Sequence, residues 1–177
     1  MRKWITSVVC VSVALAATAC GSPAEPPGMA ANCSGTFGFY SRDEPLGSGQ
    51  ALTAAVQEFS AQPESPSLGE VTAAAGWTGE WDRMLTVYEG TDREALNAAA
   101  GLPDFCWPDL RPVNFDASHH PVFHVFVQGS TPRQAVLSST SDTLFDVRSS
   151  TEVLYMDSVL EPVPPVPTRK GFLRPTG

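Results

Sequence analysis

An alternating strand followed by a capped helix, in the stretch from Trp77 to Trp107, constrains the fold of this chain more than any other feature. From Trp81 to Tyr88 successive side chains fall on opposite faces, one of them strongly apolar, as in a β-strand. Thr91 then begins the pattern Thr-x-x-Glu with Glu94, which predicts a capping box at the start of a helix. A glycine and a proline shortly downstream end this helix, so we expect it to run from about Asp92 to Ala100.

Residues 1–19 have the features of a secretory signal peptide. Arg2 and Lys3 precede an apolar run of about 15 residues, which is too short to span a membrane. The run ends in three small residues, Ala17 to Ala19, directly before Cys20. This junction resembles the lipobox of bacterial lipoproteins, in which the cysteine is lipidated and becomes the first residue of the mature protein. The same small residues also suit an ordinary signal peptidase cut at the same bond.

Cysteine usage predicts one disulfide bond in the exported protein. Cys10 leaves with the signal peptide, and lipidation of Cys20 removes the odd cysteine among the remaining three. Cys33 and Cys106 are then the only pair, and in an oxidising compartment their bond would add roughly 4 kcal/mol of stability by closing a long loop. The alternative is a pair of buried free thiols. Two cysteines without further ligands do not make a structural zinc site, so we predict no metal and no cofactor.

Composition predicts how the chain is attached and which partners it avoids. Residues 20–31 are rich in Pro, Gly and Ala without periodicity, which is typical of a flexible tether behind a lipidated Cys20. Lipid attachment would hold the protein on the outer face of the cell membrane, which makes the membrane its first predicted partner. The formal net charge of −8 becomes −10 when Arg2 and Lys3 leave with the leader. Such an acidic chain lacks the basic surface that binding of nucleic acid requires.

Residues 32–161 are predicted to form one α+β domain, an antiparallel sheet of about four to five strands packed by two helices. Ser48 caps the first helix, which extends to about Gln62 and carries apolar residues at helical spacing. The segment from Val122 to Gln128 is apolar on both faces, which indicates a central strand. The other predicted segments are a loop at Pro63 to Gly69 and strands at Gln134 to Ser138, Thr143 to Val147 and Glu152 to Met156.

Residues 162–177 form a proline-rich tail that carries a cluster of cations. Four of its first six residues are prolines, which favours a polyproline II conformation. Arg169, Lys170 and Arg174 make it the one basic stretch of an otherwise acidic protein. We predict that this tail is disordered. The alternative is that it crosses the acidic body of the domain.

The histidines are the first candidates for chemistry. His120 and His124 have the spacing that brings two metal ligands together on a helix, but their surroundings predict a strand. On a strand, residues four apart lie about 13 Å apart, too far to share one ion. Adjacent His119 and His120, with Asp116 nearby, leave the alternative of an envelope hydrolase or a metal-binding protein. The sequence contains neither a Gly-x-Ser-x-Gly elbow nor a Gly-Lys-Ser/Thr phosphate loop, so we predict no catalytic residue.

Part of the central stretch resembles small exported bacterial lipoproteins and envelope proteins of unknown function. The resemblance rests on Trp81-Asp82-Arg83, on the strand up to Tyr88, and on Thr91-Asp92-Arg93-Glu94 with the helix that follows. Together with the leader and the Ala- and Pro-rich composition, it indicates an actinobacterial exported lipoprotein. The resemblance implies export and an α+β fold, and it carries no assigned activity.

The first hypothesis for function is a lipid-anchored, non-enzymatic module that binds an envelope protein or a small ligand. Aromatic side chains outside the core would supply the contacts, because such residues dominate binding interfaces. The candidates are Trp107, Phe115 and Tyr40. A purely structural role in the envelope is an alternative that the sequence does not separate from binding.

Overall fold

The predicted α+β class is confirmed in the computed structural model, which describes residues 33–116 and 119–176. A four-stranded antiparallel sheet has the order β3-β2-β1-β4, and β5 and β6 form a separate two-stranded sheet. The helices are α1 (Gly49–Ser60), α2 (Leu68–Ala74) and α3 (Arg93–Ala100). The strands are β1 (Arg83–Tyr88), β2 (Pro121–Gln128), β3 (Thr131–Ser139), β4 (Val153–Tyr155), β5 (Leu160–Val163) and β6 (Phe172–Pro175). The predicted signal peptide, the lipidation of Cys20 and the tether lie outside the described residues.

Side-chain caps fix where the helices begin. Ser48 caps α1 as predicted, and its side chain accepts a hydrogen bond from the backbone of Ala51. The described residues form three helices where two were expected, because Ser67 and Glu70 make a capping box that starts α2 in a segment predicted as a loop. The capping box predicted for Thr91 and Glu94 does not form in the part of the chain that the structure describes. Asp92 is the cap of α3 instead.

The Thr91 hydroxyl accepts a hydrogen bond from the backbone of Tyr88, so it closes the turn after β1 and is not available to cap the helix. Gly101 ends α3 in the left-handed conformation, with φ of 65°, as the sequence indicated. A one-residue shift of the cap therefore leaves the predicted length of this helix almost unchanged.

The sequence predicted one strongly apolar face for β1, and the four-stranded sheet buries the second face as well. One face packs on α1 and α2 through a cluster that includes Met84 and Phe126. The other face packs on α3 through a second cluster that includes Leu85 and Val125. Trp81 joins the Met84 side because β1 begins only at Arg83, so the alternation does not extend back to Trp81. The predicted central position of β2 is confirmed by its place between β1 and β3.

The segment 143–147 was predicted as a strand. It contributes to the core but does not form a regular β-strand. Leu144, Phe145 and Val147 are buried, and Phe145 makes a single bridge to Leu173 of β6. The strand predicted at 152–156 is present as β4.

The tail at 162–177 was predicted to be disordered, and for residues 162–176, which the structure describes, this prediction was wrong. Its residues pair with β5 through β6, and Phe172 and Leu173 are buried in the domain. The tail cations meet acidic partners on the body: Arg174 with Asp146, and Lys170 with Asp142. Strand pairing and the burial of Phe172 and Leu173 order this segment despite its prolines, so the domain extends beyond residue 161 through residue 176.

Candidate interaction surface

An exposed aromatic surface lies where a loop crosses the end of β1. We call it the loop face and define it by Tyr40, Arg111, Val113 and Phe115. Phe115 is 91% exposed, Tyr40 48% and Val113 41%. The Arg111 guanidinium lies 5.8 Å from the centre of the Tyr40 ring, so a cation and an aromatic ring are presented together. Tyr40 and Phe115 therefore lie outside the core, as the sequence hypothesis requires.

Backbone hydrogen bonds hold this loop against the turn after β1. The Gly90 amide donates to the Arg111 carbonyl at 2.8 Å, and the Asn114 amide donates to the Glu89 carboxylate at 3.2 Å. Gly90 has a φ of 78°, and a Cβ added there would lie 2.6 Å from a methyl group of Val113. Only glycine lets the loop approach the turn so closely. The backbone that carries Phe115 is thus fixed on its N-terminal side.

The Glu89 carboxylate makes the charged contacts between the turn after β1 and this loop. Its carboxylate accepts from the Asn114 amide and also lies 2.7 Å from His120 Nδ1. The hydrogen bond from His120 and then the one from Asn114 lower the pKa of the Glu89 carboxyl, and the positive charges of His120 and Arg111 add to the effect. The ionised form of Glu89 therefore stabilises the folded loop.

Replacing Glu89 by glutamine should remove part of the acid sensitivity of the fold. Because the folded-state pKa of Glu89 lies below the usual 4.5, its contribution is complete above that pH and is lost as pH falls through the folded pKa. The wild-type protein should therefore exceed Glu89→Gln in free energy of unfolding at neutral pH, and the difference should shrink on acidification. Urea unfolding from neutral pH down to about pH 3 measures it.

Glu64→Gln, at an exposed glutamate, is the matched control and should show no such trend. A difference between wild type and Glu89→Gln that stays constant over the whole pH range would contradict the role assigned to Glu89.

Trp107 does not belong to this surface, which corrects its prediction as a contact residue. Its ring is buried, stacks on Phe39 with 5.5 Å between ring centres, and packs edge-on against Phe37. Its indole N–H donates to the side-chain oxygen of Asn97, while the Asn97 amide group donates to the Phe105 carbonyl. Trp107 is thus a core residue with its polar atom satisfied.

The structure does not gather the residues of the predicted hydrolase or metal site. His120 pairs with Glu89, whereas His119 contacts the Ser141 hydroxyl at 3.1 Å. The Asp116 backbone bonds to the Asn114 side chain. Within residues 33–116 and 119–176, no three side chains of His, Cys, Asp or Glu come together as metal ligands.

His124 is buried in a polar network that the sequence did not indicate. Its Nδ1 lies 3.1 Å from the Thr86 hydroxyl and its Nε2 lies 3.1 Å from the Ser138 hydroxyl. The Ser138 and His124 contact has the geometry of a nucleophile and a base, but burial lowers the pKa of His124 to about 3. A ring with so low a pKa is a poor acceptor for the serine proton at neutral pH. The network therefore satisfies polar groups between three strands.

The predicted bond between Cys33 and Cys106 is present and joins residues 73 positions apart. A parallel bridge between Thr36 and Cys106 continues the attachment, and the Cys106 amide donates to the Gly35 carbonyl at 3.0 Å. The segment that leads to Tyr40 is thereby fixed to the loop that leads to Arg111. The disulfide bond therefore joins the two segments that supply Tyr40 and Arg111 to the loop face.

The fold and the surface define a small, disulfide-bonded α+β domain with an exposed aromatic loop. No family model, no curated protein and no solved structure matches this chain. Within the described part of the chain, no helix has both the length and the apolar character needed to cross a membrane.

Proposed function

We propose that this protein is an exported lipoprotein, anchored through Cys20 on the outer face of the cell membrane, whose domain is a non-enzymatic binding module. The bond between Cys33 and Cys106 supports export, because disulfide bonds form and persist in oxidising compartments. The small residues before Cys20 support lipidation.

The observation that carries the binding role is Phe115, which is 91% exposed on a loop held to the domain by Glu89 and Gly90. Burial of an aromatic side chain on binding is a large source of affinity, and ordering the loop beforehand reduces the entropy lost. Arg111 and Tyr40, which contact each other on the same loop face, are residue types enriched at protein interfaces.

The shape of the loop face favours a protein partner over a small ligand. Small-molecule sites are concave and enclose most of the ligand. The recess between Tyr40, Phe123 and Arg111 has a volume of only about 10 Å³, about the room that one water molecule needs. The Phe115 ring is 91% exposed, and an exposed ring of this kind suits insertion into a pocket on another protein.

Crosslinking of the full-length protein in its native membrane tests this proposal. We expect one partner to be recovered reproducibly from the wild type and to be lost from Phe115→Ser, because the substitution removes the anchor without creating a cavity. Val166→Ser, at a 50% exposed valine in the tail, is the matched control and should retain the partner. Cys20→Ala should reduce recovery by releasing the protein from the membrane.

Equal recovery from wild type and Phe115→Ser would exclude the loop face as the binding surface. Unchanged membrane attachment of Cys20→Ala would exclude lipidation at this residue. The two results are independent, so each part of the proposal is tested separately.

A further inference from the structure

Strand β3 lies at the edge of the four-stranded sheet and is long for an edge strand. It has nine residues and pairs only with β2 in the strand order. Within the described residues, no backbone group from Arg133 to Ser138 hydrogen-bonds to a segment other than β2. The outward N–H and C=O groups of β3 therefore form an open hydrogen-bonding ladder.

From Gln134 onwards this edge lacks the charges and prolines by which proteins block further strand pairing. Native edges are usually protected by charges, prolines or a short strand. Pro132 and Arg133 protect only the start of β3, and the sequence from Gln134 to Ser141, QAVLSSTS, contains neither a charge nor a proline. Leu137 in the middle of this stretch is 53% exposed. The outer edge of β3 is thus suited to pairing with another strand.

A cleft of about 370 Å³ runs between this edge and the start of α1. Its walls are Glu44, Gln50 and Thr53 on one side and residues 135–137 on the other. Glu44 and Val136 converge at Gly49, where an added Cβ would lie 3.2 Å from Glu44 Oε1 and 3.5 Å from the Val136 methyl groups. The cleft therefore offers an acidic group on the Val136 face of the strand.

We propose that β3 binds an extended segment of the partner protein as an additional strand of the sheet. The segment has a basic residue opposite Val136, pointing to Glu44, and apolar residues on either side of it, opposite Ala135 and Leu137. Main-chain hydrogen bonds supply affinity in this mode, and the alternate side chains supply specificity. This inference rests on the proposed function, because it specifies the chemistry of the partner.

The edge and the loop face are linked through Phe123, so a partner that extends across β3 can contact both. Leu137 is paired with Phe123 across the β2–β3 ladder, and the Tyr40 ring packs edge-on against Phe123 at 5.1 Å. An added strand would place its apolar residue beside Leu137, and β3 together with Phe123 of β2 would lie between that residue and Tyr40.

Electrostatics disfavours a second copy of this chain as the occupant. Each copy has a formal net charge of −8, and self-repulsion of this kind keeps proteins apart. Two β3 strands paired antiparallel about an axis near Leu137 would also bring the two Glu44 carboxylates towards each other. A basic, extended segment instead meets Glu44 with opposite charge.

Binding of labelled peptides to the purified full-length protein in detergent micelles tests the proposal. The probe is acetyl-Ser-Thr-Val-Lys-Val-Thr-Ser-amide, followed by fluorescence anisotropy. Two matched peptides carry N-methyl groups on the odd or on the even residues, since the amides of alternate residues point to the same side of a strand. We expect one N-methylated peptide to bind about tenfold or more weakly and the other to bind like the parent.

Protein variants test the assigned contacts. Leu137→Lys should weaken binding of the parent peptide about tenfold through like charge and loss of apolar contact, whereas Val166→Lys should leave it unchanged. Glu44→Gln should abolish the preference for the lysine peptide over its glutamate counterpart. The proposal would be overturned if the parent peptide did not bind, or if the parent and both N-methylated peptides bound equally.

Two further outcomes distinguish strand addition from self-association and from binding through the loop face alone. A wild-type protein that sediments as a dimer, with Leu137→Lys a monomer, would assign the edge to a second copy and overturn the peptide proposal. If native-membrane crosslinking is lost with Phe115→Ser and kept with Leu137→Lys, the binding function stands and strand addition fails.

Discussion

Leu173→Ala should lower the free energy of unfolding by about 2–5 kcal/mol, the usual cost of truncating a buried leucine. Leu173 is buried and belongs to the cluster that also contains Leu52 and Phe126. Its backbone is equally engaged, since its amide donates to Leu144 and its carbonyl accepts from Asp146. Urea unfolding of the full-length protein measures the loss.

Val166→Ala is the control for this prediction, because Val166 lies in the same tail and is 50% exposed. It should change the free energy of unfolding by less than about 0.5 kcal/mol. Equal stability of Leu173→Ala and wild type would mean that the tail does not pack on the domain in solution.

Replacing both Cys33 and Cys106 by serine should cost roughly 4 kcal/mol of stability. The bond closes a loop of 73 residues, and the unfolded chain without it gains the conformational freedom that this closure removes. The loss should appear as a lower urea midpoint in the double variant than in the oxidised wild type.

Reductant provides the internal control for the disulfide. It should lower the midpoint of the wild-type protein towards that of the double variant and leave the double variant unchanged. An oxidised wild-type protein whose midpoint does not respond to reductant would contradict the stabilising role of the bond.

The elements that sequence analysis located correctly are those fixed by neighbouring residues. Ser48 starts α1 and Gly101 ends α3 because capping depends on residues within one turn. The same local rule could have found α2, since Ser67 and Glu70 show the capping pattern in the sequence. At α3 both Thr91 and Asp92 were able to cap the helix. Asp92 is the cap because the Thr91 hydroxyl is hydrogen-bonded within the turn after β1.

The tail and the contact residues depended on distant parts of the chain. Proline content indicated disorder, but burial of Phe172 is decided by elements far earlier in the chain, since Gln57 of α1 donates to the Gly171 carbonyl beside it. Trp107 and Phe115 are both aromatic residues in a proline-containing segment. Of the two, Trp107 packs on Phe39 and bonds to Asn97. Neither contact can be inferred from the residues that adjoin Trp107 in the sequence.

The link between Cys33 and Cys106 also determines how the domain would carry mechanical load. When force is applied between the two ends of the domain, it acts on Cys33 and is transmitted through the disulfide bond directly to Cys106. Residues 34–105, which include all three helices of the described chain and β1, are bypassed by this path. Tension between the N-terminal and C-terminal ends of the domain would therefore act on the chain from Trp107 onwards, while the segment that carries Tyr40 remains unstretched.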